Sequence, residues 1–254
     1  MFARALTIFA LLSAAAAQLS LSQPCTQALT TIATSADANA CLTPSPLIPI
    51  LTNSNISIVE PINNWLTSLC AAPACSNNTL AAIVTNVTAG CSTELSLAGF
   101  QSGDTSAVTA LIQKYYPDVR NIVCLKDGNT NCVTQTLTNI QDIVGPLTVQ
   151  TTLALFSGNS NLTELPSNVT CTSCAKAAYN IVNAEVPGFL GANSEDLQAV
   201  CGASFTDGAN PSGITQSASD KAPVDTKNSG AFTLGALTGA TSLVAISSMF
   251  ALLA

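Results

Sequence analysis

Ten cysteines are spread through the middle of this 254-residue chain: Cys25, Cys41, Cys70, Cys75, Cys91, Cys124, Cys132, Cys171, Cys174 and Cys201. An even number at this density, in a chain that opens like an exported protein, reads as five disulfides stapling one body. By count alone, roughly a thousand pairings are open. Cys124 and Cys132 flank a turn-rich stretch, Lys126-Asp127-Gly128-Asn129-Thr130, and are the expected local bridge. Cys171-Thr172-Ser173-Cys174 has the spacing of a redox pair. No strand–helix–strand pattern surrounds it and eight other cysteines need partners, so it reads as a structural staple. The chain contains no histidine, and oxidised cysteines are not thiolates, so no metal site is expected.

The two ends read as processing signals. Arg4 precedes an apolar run at 5–12, followed by Ser13 and four alanines, Ala14, Ala15, Ala16 and Ala17. A basic start, a short apolar segment and a small-residue exit make a secretory signal peptide over 1–17, cleaved after Ala17. At the other end, residues 231–254 carry no charge, and 243–254 are strongly apolar. Asn228, Ser229 and Gly230 lie just before them. Small residues, a polar spacer and an apolar tail form the signal for a glycosylphosphatidylinositol (GPI) anchor, with Asn228 or Ser229 as acceptor and 229–254 as the removed propeptide. A retained membrane span is the competing reading, but it lacks a Lys/Arg flank beyond the apolar segment.

Between the ends the apolar spacing is helical. Leu29, Ile32, Ala33 and Ala36 recur at helical intervals, as do Ile58, Ile62, Trp65, Leu66 and Leu69. Leu80, Ile83, Val84, Val87 and Cys91 form a third stripe, and Val108, Leu111, Ile112 and Tyr115 a fourth. A fifth runs through Val133, Leu137, Ile140, Val144 and Leu147, interrupted at Gly145-Pro146, where a kink or break is expected. Cys174, Ala178, Ile181 and Val182 make a sixth, and Leu197, Val200 and Cys201 the last. Ser57 and Glu60 have capping-box spacing, and Asp104 and Asn193 are expected N-caps. The fold predicted is all-α: a disulfide-stapled helical bundle of about six to eight helices over 18–202, divisible into 24–100 and 101–202. Residues 203–228, poor in large apolar side chains, are predicted to be a flexible, disordered stalk holding the body roughly 30 Å from a membrane.

Five Asn-x-Ser/Thr sequons, at Asn55, Asn77, Asn86, Asn161 and Asn168, mark expected exposed N-glycosylation sites. Asn86 lies well off the apolar stripe of its helix, so its glycan should point outward. Without histidine, Ser-His-Asp and Cys-His nucleophilic catalysis are excluded. Paired carboxylates could still cleave glycosides, but no acidic motif stands out and Trp65 belongs to a core stripe. A net charge of −7 with only 7 Lys and Arg leaves no footprint for nucleic acid. A non-enzymatic surface role, with no cofactor, is therefore expected. A helical cavity for a lipid or other apolar small molecule is the alternative, and a carboxylate-based glycoside hydrolase a more distant one.

The stretches PINNWLTSLCAAPACSNNTLAAIVTNVTAGC, YYPDVRNIVCLKDGNTNCVTQTLTNIQ and VTCTSCAKAAYNIV resemble a group of fungal secreted, GPI-anchored, cysteine-rich proteins without assigned function. The resemblance spans about residues 24–202 and rests on cysteine spacing, with no catalytic signature to carry over. It implies a fungal cell surface and a domain of unknown function. The partners expected for such a chain are the membrane, through the anchor, and a cell-wall polysaccharide or surface protein. Hydrophobins, which carry adjacent Cys-Cys doublets, and the eight-cysteine haem-capturing surface domains do not match this spacing.

Overall fold

A computed structural model of the protein describes residues 22–97, 105–156, 166–186 and 194–221. The signal segment, Asp104, Asn161, Asn193, the anchor residues Asn228 and Ser229, and the apolar tail lie outside the described residues. The described residues are mostly helical, with twelve α-helices. In chain order these are α1 (Gln23–Thr34), α2 (Ala36–Leu42), α3 (Ile48–Thr52), α4 (Val59–Ala71), α5 (Asn77–Gly90) and α6 (Ser92–Leu97). Then come α7 (Thr105–Val123), α8 (Cys132–Val144), α9 (Val149–Phe156), α10 (Ser167–Thr170), α11 (Ser173–Glu185) and α12 (Ser194–Cys201). The excess over six to eight comes from helices such as α2, α3, α6 and α10, each of seven residues or fewer. Pieces of two turns or less show no period in a sequence.

All ten cysteines are paired, as Cys25–Cys91, Cys41–Cys75, Cys70–Cys124, Cys132–Cys174 and Cys171–Cys201. The expected Cys124–Cys132 bridge is therefore wrong, although the turn between them is real. Strands β1 (Leu125–Asp127) and β2 (Thr130–Asn131) form a hairpin there, with Lys126 opposite Asn131 and Gly128 at φ 57°. Continuing that register puts Leu125, not Cys124, opposite Cys132, and those two share one buried cluster. Successive strand residues face opposite sides, so Cys124 points away and meets Cys70 instead. The two cysteines of the C-x-x-C likewise bond to different partners.

The largest core cluster joins α4 to α8: Ile58, Ile62, Trp65, Leu66 and Leu69 pack with Leu137 and Leu147. Trp65 is 9% exposed, and its indole N–H donates to the Leu42 carbonyl at 2.7 Å. The fifth stripe breaks as expected, with α8 ending at Val144 and Gly145 at φ 87°. Ser57 does not form the expected capping box. Its Oγ accepts from the Val59 N–H at 3.3 Å and donates to Gln141 Oε1 at 2.6 Å. That bond locks the start of α4 to α8 across the core.

Two smaller clusters are built largely of cystine: Cys41 and Cys75 with Leu80, and Cys132 and Cys174 with Leu125 and Ala177. Sulfur thus supplies apolar volume as well as cross-links. Each bridge removes freedom from the unfolded chain, a stabilisation of about 2–5 kcal/mol. Helix starts sit beside these staples. Ser22, Ser35, Ser76, Asn131 and Thr172 each accept from an N–H of the first turn of α1, α2, α5, α8 and α11 respectively.

The stalk expected from residue 203 departs most from the structure. Residues 203–221 fold back over the body as a strap. Strand β3 (Ile214–Gln216) pairs antiparallel with β1, giving a three-stranded sheet in the order β2-β1-β3. The Ser217 and Ser219 N–H groups donate to the Cys124 and Cys70 carbonyls at 3.0 and 2.7 Å. Phe205, 5% exposed, lies against the Tyr179 ring with centroids 5.9 Å apart. Lys176 Nζ reaches the Ser204 carbonyl at 2.5 Å and Asp207 Oδ1 at 2.7 Å. Main-chain pairing needs no apolar side chains, so a polar stretch can be held firmly without showing it in composition.

Arg120 of α7 is buried at the point where these parts meet. Its guanidinium donates to the carbonyls of Leu69 (2.8 Å), Ala72 (2.5 Å) and Cys70 (3.5 Å) at the end of α4. A helix C-terminus presents unsatisfied carbonyls and partial negative charge, and a cation there caps both. This contact and Cys70–Cys124 tie the chain before residue 100 to the chain after it.

Three outcomes are expected. Arg120→Met lowers stability by about 3 kcal/mol in urea unfolding under non-reducing conditions, since buried carbonyls lose charged donors. Arg120→Lys recovers only part, because an ammonium cannot fork across three carbonyls. In hydrogen exchange, the amides of Ser217 and Ser219 exchange far more slowly than those of an unstructured peptide. Free exchange at both would mean that 203–221 is a stalk after all.

Candidate functional site

Helices α1 and α5 lie side by side, pinned at one end by Cys25–Cys91. There the backbones approach closely: a Cβ on Gly90 would stand 2.3 Å from Ala28 Cβ and 3.0 Å from the Pro24 carbonyl oxygen. Cys41–Cys75 ties α2 to the start of α5. Between the two staples a groove remains, with a cavity of about 190 Å³. Ile32, Ala38, Ala82 and Ile83 give it an apolar lining, and Thr31, Ser35, Asp37, Asn78 and Asn86 a polar one.

Its shape is set by helix capping. Ser35 Oγ accepts from the Ala38 N–H, opening α2 immediately after α1 with a sharp change of direction. Ser76 Oγ accepts from the Thr79 N–H at 3.1 Å and shares a 3.0 Å hydrogen bond with Thr79 Oγ1. Both serines line the cavity. The Ser35 hydroxyl oxygen has a further lone pair after its capping bond, so the groove can still hydrogen-bond a polar visitor.

The four described sequon asparagines, Asn55, Asn77, Asn86 and Asn168, are all exposed. They differ in setting. Asn55 sits in the turn before α4, Asn168 in α10, and Asn77 at the first residue of α5. Asn86 alone among them lines the groove, and its Nδ2 donates to the Ala82 carbonyl at 2.9 Å.

Among the described residues three carboxyls are shifted. A hydrogen bond from the Ser22 N–H, at 2.6 Å, holds Glu94 below the usual range. That contact stabilises the fold above the ordinary carboxylate range and is lost as pH falls through Glu94's lowered value. Asp207 is lowered first by its hydrogen bond to Lys176 and then by the Ala209 N–H. Burial pushes Asp118 up, aided by the charge of Glu185 and opposed by Lys114. Asp118 and Glu185 lie outside the groove lining, where Asp37 is the one carboxylate. Glycoside hydrolysis needs two facing a common cleft.

Ligand atoms of Cys25, Cys91 and Glu94 lie within 4.8 Å of one another, but the two sulfurs are bonded together and offer no thiolate. Cys171 and Cys174, bonded to Cys201 and Cys132, do not form a dithiol pair. Of the sequence-predicted residues, the groove gathers Asn86 from the sequons and Ile32 and Ile83 from the stripes. The capping serines Ser35 and Ser76 and the polar residues Thr31, Asp37 and Asn78 were not singled out by periodicity. Their signal was the small polar residue next to a cysteine or a helix start.

Gly90→Ala is expected to lower the melting temperature. A gain of about 1 kcal/mol in helix propensity is outweighed by an overpacking cost of about 1–3 kcal/mol. Ala28→Gly in the same chain should restore most of the loss, which a strain located anywhere else would not allow. No protein-family model matches this chain, and neither a curated protein nor a solved structure does, so the groove is interpreted from its own geometry.

Proposed function

We propose that the protein is a non-enzymatic, N-glycosylated ectodomain held on the outer face of a cell by a GPI anchor, serving a structural or interaction role in a fungal-type cell surface or wall. The observation that carries this reading is the pairing of all ten cysteines into five disulfides. Such a set persists in an oxidising compartment and would be reduced in a cytosol. Four exposed sequon asparagines support it. A cavity of about 190 Å³ with hydroxyl, amide and carboxylate lining is smaller and more polar than a lipid pocket, which favours surface contact over lipid carriage.

On this reading the body stands close to the membrane. The strap is folded to Lys221, leaving seven positions, 222–228, before the proposed attachment site. Even fully extended they span at most about 25 Å. A polysaccharide or protein partner therefore meets a body near the lipid surface.

Alkylation of the unreduced, denatured protein from its native host should label no thiol. Labelling beyond traces would sink the oxidised, exported reading. Phosphatidylinositol-specific phospholipase should release the protein from membranes. Retention, together with recovery of the 231–254 peptide by mass spectrometry, would sink the anchor alone.

A further inference from the structure

We propose that the groove between α1, α2 and α5 seats the innermost sugar of the chain's own N-glycan at Asn86, making that glycan part of the folded structure. This rests on the reading of the protein as a secretory glycoprotein, and three features of the groove support it.

The first is direction. Side chains on a helix lean toward its N-terminus, so Asn86 overhangs the turns before it. The groove's share of α5 lies there, at Asn78, Thr79, Ala82 and Ile83, eight, seven, four and three residues earlier. The hydrogen bond from Asn86 Nδ2 to the Ala82 carbonyl holds the amide in this pose. A carboxamide has two N–H bonds. One serves Ala82, and the other is the bond glycosylation replaces. In that step Nδ2 bonds to the sugar's anomeric carbon, the lipid-diphosphate donor leaves as the diphosphate, and the displaced proton passes to a base of the transferase.

The second is size. About 190 Å³ is below the roughly 300 Å³ at which pockets for drug-sized ligands begin, and suits one monosaccharide ring rather than an oligosaccharide. The third is chemistry. An N-acetylhexosamine has an apolar face and a methyl group, ringed by hydroxyls and an amide. Ile32 and Ile83 match the former, and Ser35, Thr31 and Asp37 the latter. Asn55, Asn77 and Asn168 are exposed but do not line the groove, so their glycans extend into solvent.

The test uses the full chain from a eukaryotic secretory host, native and non-reduced. It is digested with a peptide-N-glycosidase in heavy-oxygen water, and each site is followed by peptide mass spectrometry. The Asn86 glycan should be released about tenfold or more slowly than those at Asn55 and Asn168, the factor that about 1.4 kcal/mol of seating energy gives. After reduction and denaturation the rates should converge. Ala82→Trp, which fills the groove from an exposed position, should make release at Asn86 as fast as elsewhere while the melting temperature stays near that of the parent. Equal native rates at all sites, or Asn86 left unmodified beside occupied neighbours, would overturn the inference and leave the glycoprotein reading standing. No glycan at any sequon would overturn both.

Discussion

Three distant parts of the described chain meet at the end of α4. Four carbonyl-rich residues there, Leu69 to Ala72, receive a guanidinium from α7, a disulfide from Cys124, and an N–H from Ser219 of the strap. None of these partners is close in sequence: Arg120 is about 50 residues away from its acceptors. A buried cation is costly to desolvate, and here the cost is offset by aligned carbonyl dipoles instead of a carboxylate. That choice has a consequence. A salt bridge could exchange partners, whereas helix-end carbonyls have a fixed position and direction. Arg120 therefore fixes where α7 crosses α4, and with it the hairpin, the sheet and the strap that follow.

The disulfides work with this node. Two of the three buried clusters are half cystine or more, and the aromatic content of the chain is only 5%. A body with so few large rings has small cores, and covalent links make up what burial does not supply. The same economy explains the groove. α1 and α5 touch through Gly90 and Ala28, where nothing larger fits. With α1 and α5 pinned at Cys25–Cys91 and α2 pinned to the start of α5 at Cys41–Cys75, covalent links hold the intervening space open.

How much of this was legible in the sequence depends on the interaction concerned. The α4 stripe was readable because Ile58, Ile62, Trp65, Leu66 and Leu69 repeat at the helical period, and that is a local property. The break at Gly145-Pro146 was readable for the same reason. The disulfide partners were not, because pairing is decided by which helices meet in space. At Cys124 the local turn was real, yet one residue of register sent the sulfur to the other face. The strap was missed because β3 is held by main-chain bonds to β1, and composition is blind to those. The groove was half visible: Asn86 stood out as a sequon, but the capping serines that shape the space around it carry no periodic signal.

Threonine favours strands by propensity, and the structure shows how the helices of this chain accommodate it. Along the helices, threonine hydroxyls donate to the carbonyl four residues back: Thr30 to Thr26, Thr31 to Gln27, Thr67 to Asn63, Thr85 to Ala81, Thr109 to Thr105 and Thr138 to Thr134. This bond makes a β-branched residue tolerable in a helix. It also commits the hydroxyl proton to the backbone, so these side chains offer water an acceptor but no donor. With charged residues at 8% of the chain, such a surface is poorly hydrated for its size. A cytosolic protein would correct this with lysine and glutamate. On the proposed reading of an exported glycoprotein, carbohydrate on the exposed sequons would meet the same need, hydrating without adding charge. On that proposal the threonine-bearing helices and the glycan sites are two halves of one solution to keeping a body with few charged residues soluble at a cell surface.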